Sequence, residues 1–365
     1  MTTKRYIKNY KNVSQDIRDQ LNGEAEAVQI ILTWIDNDIY STVDACPNAC
    51  EMWKATERLK HVKMENLLEP TSNKLLVGIQ IHQSPCGIFI NQAKYAQEIL
   101  IKHGMTSCDS VGTPMATKHL DANLSGTLVD QTKYQSMVGA LMYLTASRPD
   151  IMHATCYCAR YQVKPTEKHL TTVKWIFRYL KDTTHIGLWY LKDTGLKLNA
   201  FSDAHHAGCL DSRKSTSGGI QFLCGNKLVS WSSKKQDCTS MSSAKAKYVS
   251  LSACYSQVLW MRTQLTGYGF HFHKIPMYCD SKAAIAISCN PVQHSRTKHI
   301  DVIYHSIKEK VKKGIVELFF VGTEYHLADL FTKALSEDKF KYLVRRLGMR
   351  CLTPEELEVL ANESA

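Results

Sequence analysis

The chain has 365 residues, enough for two or three domains, and its 44% hydrophobic content is ordinary for a globular protein. Its formal net charge of +11 favours acidic partners, nucleic acid foremost among them. The 13 cysteines are an odd set scattered without a secretory segment ahead of them, and no apolar run is long enough to cross a membrane, so the expectation is an intracellular protein, cytoplasmic or nuclear, with reduced thiols.

In chain order, Val28, Ile31, Leu32 and Ile35 fall on one face of a helix, and Cys46-Pro47-Asn48 interrupts before a second, short helix. So small a piece cannot bury both faces alone, and residues 1–62 read as a loosely packed helical fragment. Leu76 to Ile81 and Ile88 to Ile90 read as a hairpin around Ser84-Pro85-Cys86-Gly87, with a helix following from Gln92 to His103. Residues 108–132 are polar and turn-rich, a linker. Residues 133–190 read as mostly helical, broken at Ser147-Arg148-Pro149-Asp150. In the last of these helices Leu170, Val173, Ile176, Phe177 and Leu180 form an apolar stripe, while Lys174, Arg178 and Lys181 line a basic one suited to phosphates or to solvent. Trp175 and Trp189 read as packing residues.

From residue 196 the period changes. Leu196, Leu198 and Ala200 alternate with Lys197 and Asn199, giving a half-buried strand that delivers Asp203 at its end. Ser217-Gly218-Gly219 reads as a turn, Ile220 to Leu223 as a second strand, and Leu228 to Trp231, after the Gly225-Asn226 hairpin signal, as a third. Ser242 or Ser243 caps a helix whose apolar face is Tyr248, Leu251, Tyr255, Val258 and Leu259. Ile275 to Asp280 is a fourth strand, a basic helix covers residues 298–313, Ile315 to Val321 is a fifth strand, and His326 to Ala334 opens a helix with Asp329 in its first turn. Helices over 336–347 and 354–361 follow, the tail after Leu347 being peripheral. This order predicts an α/β fold: a five-stranded mixed sheet, its meander antiparallel and its last two strands parallel to the first, flanked by helices and preceded by mostly helical segments.

The stretches FSDAHHAG, RKSTSGG, VSWSSKKQ, YCDSKAAIA, NPVQHSRTKHID and HLADLFTKAL resemble, in that order, the ribonuclease H domain of copia-type LTR retrotransposon Pol polyproteins. LLVGIQIHQSPCGIFINQAKYAQEILIKHGM and KYQSMVGALMYLTASRPDI resemble the same family's reverse transcriptase after its catalytic palm, and NVSQDIRDQLNGEAEAVQIILTWIDNDIYSTVDACPNACEMWKATERLK resembles the start of its Gag. The resemblance implies a polyprotein remnant: a Gag-like fragment at 1–62, the end of the palm with thumb and connection at 63–190, a ribonuclease H-like domain at 196–347 and a tail at 348–365. The polymerase's Tyr-x-Asp-Asp signature is missing and the chain has no Asp-Asp pair, so no DNA synthesis is expected. Implied partners are an RNA–DNA hybrid and other products of the element, with no membrane.

The family cuts the RNA strand of hybrids with two divalent ions, Mg2+ or Mn2+, held by four acids. By resemblance Asp203, Asp280 and Asp329 occupy three of those catalytic and metal-holding positions. The fourth belongs to a segment that the family writes Ser-Ser-x-Glu-Ala-Glu-Tyr. Here it reads Ser242-Ser243-Ala244-Lys245-Ala246-Lys247-Tyr248, with Lys247 at the ligand's place. Unit charges ~4 Å apart at an effective dielectric near 20 interact by roughly 4 kcal/mol, and a dication doubles that. Turning attraction into repulsion therefore predicts poor metal binding and impaired cleavage, with the Lys247 ammonium pointing at Asp203 and Asp280 as an internal counter-ion. Arg296, Lys298 and His299, within the SRTKHID segment, are expected to grip the hybrid backbone. His205 and His206 read as surface histidines rather than as a soft metal site with Cys209, and His326 as a polar residue at a helix start. The competing reading is a non-catalytic nucleic-acid-binding or Gag-like remnant of a decayed element.

Overall fold

The computed structural model describes residues 74–362 apart from 77, 85, 118–125, 193–196, 210, 268 and 291–305. The Gag-like segment and the expected hybrid grip at Arg296, Lys298 and His299 therefore lie outside the described residues. Strands β1 (Lys74–Leu76), β2 (Ile79–Ser84) and β3 (Gly87–Asn91) form an antiparallel meander. Helix α1 (Ala93–Lys102) buries Ala93, Ala96, Ile99 and Leu100, one stripe at helical spacing. Next come α2 (Gln131–Leu144), N-capped by the Asp130 carboxylate, a 3-10 turn at Pro149–Ile151, α3 (Met152–Ala159) and α4 (Glu167–Lys181).

The helical expectation fails at its end, where Ile186–Leu191 is strand β4. Ile186, Trp189 and Tyr190 favour a pleated surface, and β4 finds one by pairing with β3, Ile90 opposite Leu188 and Phe89 opposite Trp189. The tail also departs from expectation. Met349–Cys351 (β10) returns across the whole second domain to pair with β4, completing a sheet of order β1-β2-β3-β4-β10, and helix Pro354–Asn362 follows it.

Between β4 and β10 lies the second sheet, built from β5 (Leu198–His205), β6 (Thr216–Leu223), β7 (Lys227–Lys235), β8 (Ile275–Cys279) and β9 (Val316–Phe320) in the order β7-β6-β5-β8-β9. The meander is antiparallel and β8 and β9 run parallel to β5, the ribonuclease H-like arrangement that the sequence predicted. Helix α5 (Ser243–Gly267) packs across it with Tyr248, Leu251, Tyr255 and Val258 all buried. Helices α6 (Lys282–Cys289), α7 (Ser306–Lys312) and α8 (Glu337–Arg346) complete the domain. Two expectations are corrected here. Ser217-Gly218-Gly219 lies inside β6 instead of forming a turn, and residues 323–331 form two 3-10 turns, Thr323–Tyr325 and Leu327–Phe331, instead of a helix. Among the described residues no helix is long and apolar enough to cross a membrane.

The two sheets are tied through polar as well as apolar contacts. Trp231 Nε1 donates to the Thr145 carbonyl (3.1 Å) and the Tyr190 hydroxyl to that of Leu228 (2.6 Å). The Ser-Arg-Pro-Asp break is an anchor: buried Arg148 pairs with Asp150 at 2.7 Å and reaches the Thr183 carbonyl, while the Tyr179 hydroxyl donates to the same carboxylate. The ring of Tyr179 meets Phe340 of α8 edge-on. His153 of α3 lies 3.3 Å from the Ser233 hydroxyl of β7 and hydrogen-bonds the Phe331 backbone, joining three elements.

Burial, with Arg160 and His205 close by, pushes the His153 pKa down to about 3 despite its bond to the Phe331 backbone, so the fold holds this imidazole neutral. The unfolded chain takes up that proton below about pH 6.5, so the contribution of His153 is present above that pH and is lost progressively as pH falls toward 3. Urea unfolding at pH 7 and pH 4.5 should show wild type losing more stability than His153→Gln, by on the order of 1–3 kcal/mol; parallel pH slopes would refute the assignment.

Candidate functional site

Strands β5 and β8 are parallel neighbours, Phe201 beside Tyr278, so Asp203 and Asp280 leave the sheet side by side at the same end. Helix α5 starts beneath them, with Ser242 Oγ accepting from the Lys245 N–H at its first turn. Ser250 Oγ donates to the Asp203 carbonyl at 2.6 Å and accepts from Ser202, which pins the helix to β5. Lys247, nearly one turn earlier, is thereby aimed at the carboxylates. Its Nζ lies 3.1 Å from Asp203 Oδ1 and donates a short hydrogen bond to Asp280 Oδ1.

Asp329 reaches the site on the 3-10 turn Leu327–Phe331, which lies directly on β6. A Cβ at Gly218 would stand 2.7 Å from Thr332 Cγ2 and 2.9 Å from Phe331 Cβ, so only a hydrogen fits there. This close approach is why glycine occupies the middle of a strand. Asp329 itself is fully buried and held by two ammonium groups, Lys333 at 2.8 Å and Lys339 at 2.7 Å. Lys333 also stands 3.9 Å from Asp203, whose Oδ2 accepts from the Thr332 hydroxyl. Three carboxylates thus share three lysines.

The electrostatics follow from that count. Burial alone would raise the pKa of Asp203, but Lys247, Lys333, His326 and the Thr332 hydrogen bond more than offset it and hold the carboxyl well below its ordinary range. Lys247 moves the other way: burial works against its charge, yet Asp203 and Asp280 raise its pKa above the usual lysine value, so it stays an ammonium. His326 is fully buried, and its Nε2, 3.0 Å from the Ser202 carbonyl, must carry the proton because a carbonyl only accepts.

Ligand atoms of Asp203, Asp280 and His326 lie within 4.8 Å of one another, whereas Asp329, expected in that set, is not a member of it. Carboxylate oxygens suit Mg2+ or Mn2+, and His326 Nδ1 is buried without a hydrogen-bond partner among the described residues. Lys247 nevertheless sits against Oδ1 of both aspartates. A dication on the same oxygens would face its ammonium at about 4 Å, a repulsion of roughly 8 kcal/mol at an effective dielectric near 20. With Lys247 in this place the residues do not fit a divalent ion.

The remaining sequence candidates scatter. Of the basic stripe on α4, Lys174 is exposed and Arg178 half-buried, but Lys181 is a clamp: its Nζ donates to the Cys108 carbonyl at 2.6 Å, as Trp175 Nε1 does to that of Thr113 at 2.8 Å, strapping the linker to the helix. His206 faces the Ser240 carbonyl, and His205, His206 and Cys209 form no metal-like group among the described residues. Sequence reasoning missed Lys333, legible as the i+4 partner of Asp329, and Lys339, which no local pattern marks.

No family model matches the chain. It is 37% identical over 304 residues to the retrovirus-related Pol polyprotein from transposon RE1 of Arabidopsis thaliana, covering 81% of this chain and 21% of that protein. To the Pol polyprotein from transposon RE2 of the same plant it is 38% identical over 280 residues, 76% of this chain and 19% of that protein. The chain therefore spans about a fifth of the length of these relatives. Among solved structures, LC11-RNase H1 in complex with an RNA/DNA hybrid aligns with 37% of this chain and 94% of its own, at 12% identity and a TM-score of 0.28.

Replacing Lys247 by methionine leaves Asp203 and Asp280 short of a cation, and the chain should lose about 3 kcal/mol of stability at neutral pH. Because the pKa of Asp203 is depressed, its contribution is complete above the unfolded carboxyl value near 4 and is lost as pH falls below it, so the gap between wild type and variant should narrow in acid. A gap that stays constant from pH 7 to pH 3 would contradict this.

Proposed function

Because the chain belongs to the retrovirus-related Pol polyproteins of transposons, we propose that it carries the tail of a reverse transcriptase, residues 63–190, followed by a ribonuclease H domain, residues 196–347, whose ancestral action on RNA–DNA hybrids is impaired by Lys247. The reading rests on one observation: the ammonium of Lys247 is ion-paired with Asp203 and Asp280 together, on the oxygens that a divalent ion would need. Bound divalent ions would supply an activated water and stabilise the leaving oxygen. The residues present supply placement instead. Asp203 and Asp280 come from adjacent parallel strands, Asp329 is presented by the turn over Gly218, and Thr332 orients the Asp203 carboxylate.

A second reading, a nucleic-acid-binding domain without hydrolysis, is favoured by the same neutralisation, since a cluster with its charges balanced by lysines keeps its fold without metal. Lys247→Glu separates the two. The variant should melt at a temperature that rises with Mg2+ or Mn2+, unlike wild type, and should cut the RNA strand of a labelled hybrid. Lys245→Glu alone should do neither, because residue 245 projects from another part of the helix face. Asp203→Asn or Asp280→Asn added to Lys247→Glu should abolish the regained cutting. Equal, robust cleavage by wild type and Lys247→Glu would sink the impaired-site reading, and no cleavage by either would leave the binding reading.

A further inference from the structure

The lysines of the site are spent on aspartates, but one step along the sheet the cations have no such partners. Asp203 of β5 stands opposite Gly218 of β6, and Gly218 opposite Ser233 of β7; two residues on, His205, Thr216 and Lys235 form the next row on the same sheet face. Lys235 ends β7 and is exposed, while Lys234 before it pairs with Ser217 and points to the opposite face. Arg160, which follows α3 in the first module, is docked at this row, with Nη2 donating to Thr216 Oγ1 at 3.1 Å and the guanidinium lying over the Tyr157 ring. Arg213 and Lys214, in the loop that enters β6, complete the group. Among the described residues none of these four cations forms an ion pair; of the two acids closest in sequence, Asp211 accepts from the Tyr161 hydroxyl and Asp237 is exposed two residues beyond Lys235.

The field of this ridge registers on a neighbour. Burial should raise the pKa of the Cys209 thiol, yet Ser212 hydrogen bonds, Arg160 and Lys235 bring it below the ordinary value. From the strand spacing, the ridge lies about 12 Å from Asp203, or three to four base steps at a rise of roughly 3.4 Å per nucleotide.

We infer that Arg160, Arg213, Lys214 and Lys235 form a phosphate-binding ridge, built jointly by the two modules, that holds a nucleic-acid backbone a few nucleotides from the acid cluster. The inference rests on the nucleic-acid partner proposed above and specifies where and how that partner is held. Unpaired cations at a mouth formed by three strand ends release counterions when they meet phosphates, whereas Lys247, Lys333 and Lys339, already neutralised, contribute little. Since Arg160 comes from the first module, residues 196–347 alone would lack part of the ridge.

The test uses the full chain and fluorescence anisotropy with a labelled RNA–DNA hybrid over a salt series. The double variant Arg213→Gln/Lys235→Gln, whose side chains are exposed and outside the core, should bind about tenfold more weakly and lower the slope of log affinity against log salt by about two. Arg160→Gln should lower the slope by about one further unit, with melting temperature as the folding control. Duplex DNA and single-stranded DNA should weaken in step with the hybrid, because backbone contacts carry no base information. Unchanged affinity and salt slope in the double variant would overturn the ridge whatever Lys247→Glu does in the cleavage assay. Failure of Lys247→Glu to cut, with the ridge variants still weakened, would overturn the ribonuclease reading alone.

Discussion

The fold of the second domain brings Asp203, Asp280 and Asp329 to one end of one sheet, and the arrangement survives only if their charge is matched. The parallel pairing of β5 and β8 leaves no freedom to separate the first two, and the contact of the Leu327–Phe331 turn with Gly218 brings in the third. Water cannot do the matching where Asp203 is 1% and Asp329 0% exposed. Lys247, Lys333 and Lys339 do it from three separate segments. A tethered ammonium is a permanent local counter-ion whose effective concentration does not depend on the medium, so its presence decides both that the cluster is stable and that a mobile dication competes poorly.

The second constraint is the joint between the modules. The chain leaves the first sheet at β4, builds the second domain and returns as β10 beside β4, so the second domain is inserted in the first sheet's connectivity. His153, Arg160, Trp231 and Tyr190 stitch the interface with hydrogen bonds that would be left unmade if the domains moved apart. The buried Arg148–Asp150 pair, satisfied further by Tyr179 and Thr183, sits behind that joint. Such a pair contributes little net stability over an apolar substitute, but it tolerates only one geometry and so specifies how α2, α3 and α4 meet.

Most of the second sheet was legible because its strands are bounded by turn signals and its residues alternate; the positions of Asp203 and Asp280 followed from strand ends, while that of Lys247 came from the resemblance of residues 242–248 to the family's Ser-Ser-x-Glu-Ala-Glu-Tyr segment. Four features were not. The glycines at 218 and 219 read as a turn because a sequence does not show that another segment will lie on them; the reason is a tertiary contact. Ile186–Leu191 follows a long helix and carries no strong break, and only pairing with β3 selects a strand. His326 read as a polar residue at a helix start, but it is fully buried with Nε2 on the Ser202 carbonyl, a burial that no local pattern encodes. Lys339 likewise reaches Asp329 from the next helix, and a ten-residue separation leaves no periodic trace.

The formal net charge of +11 read at the outset conceals a division. Lysines that neutralise buried aspartates are electrically silent at a distance, since each pair is a short dipole screened within a Debye length of roughly 8 Å at physiological salt. Cations beside neutral or absent partners, such as Lys235 and Arg213, project the field that a polyanion meets first. On the proposed reading, binding and bond cleavage would draw on different charges. A change such as glutamate to lysine at position 247 removes an attraction for metal and adds one more cation to the fold, but it takes nothing from the ridge. Loss of the chemistry therefore does not entail loss of nucleic-acid affinity: a domain of this construction can cease to cut while it continues to hold.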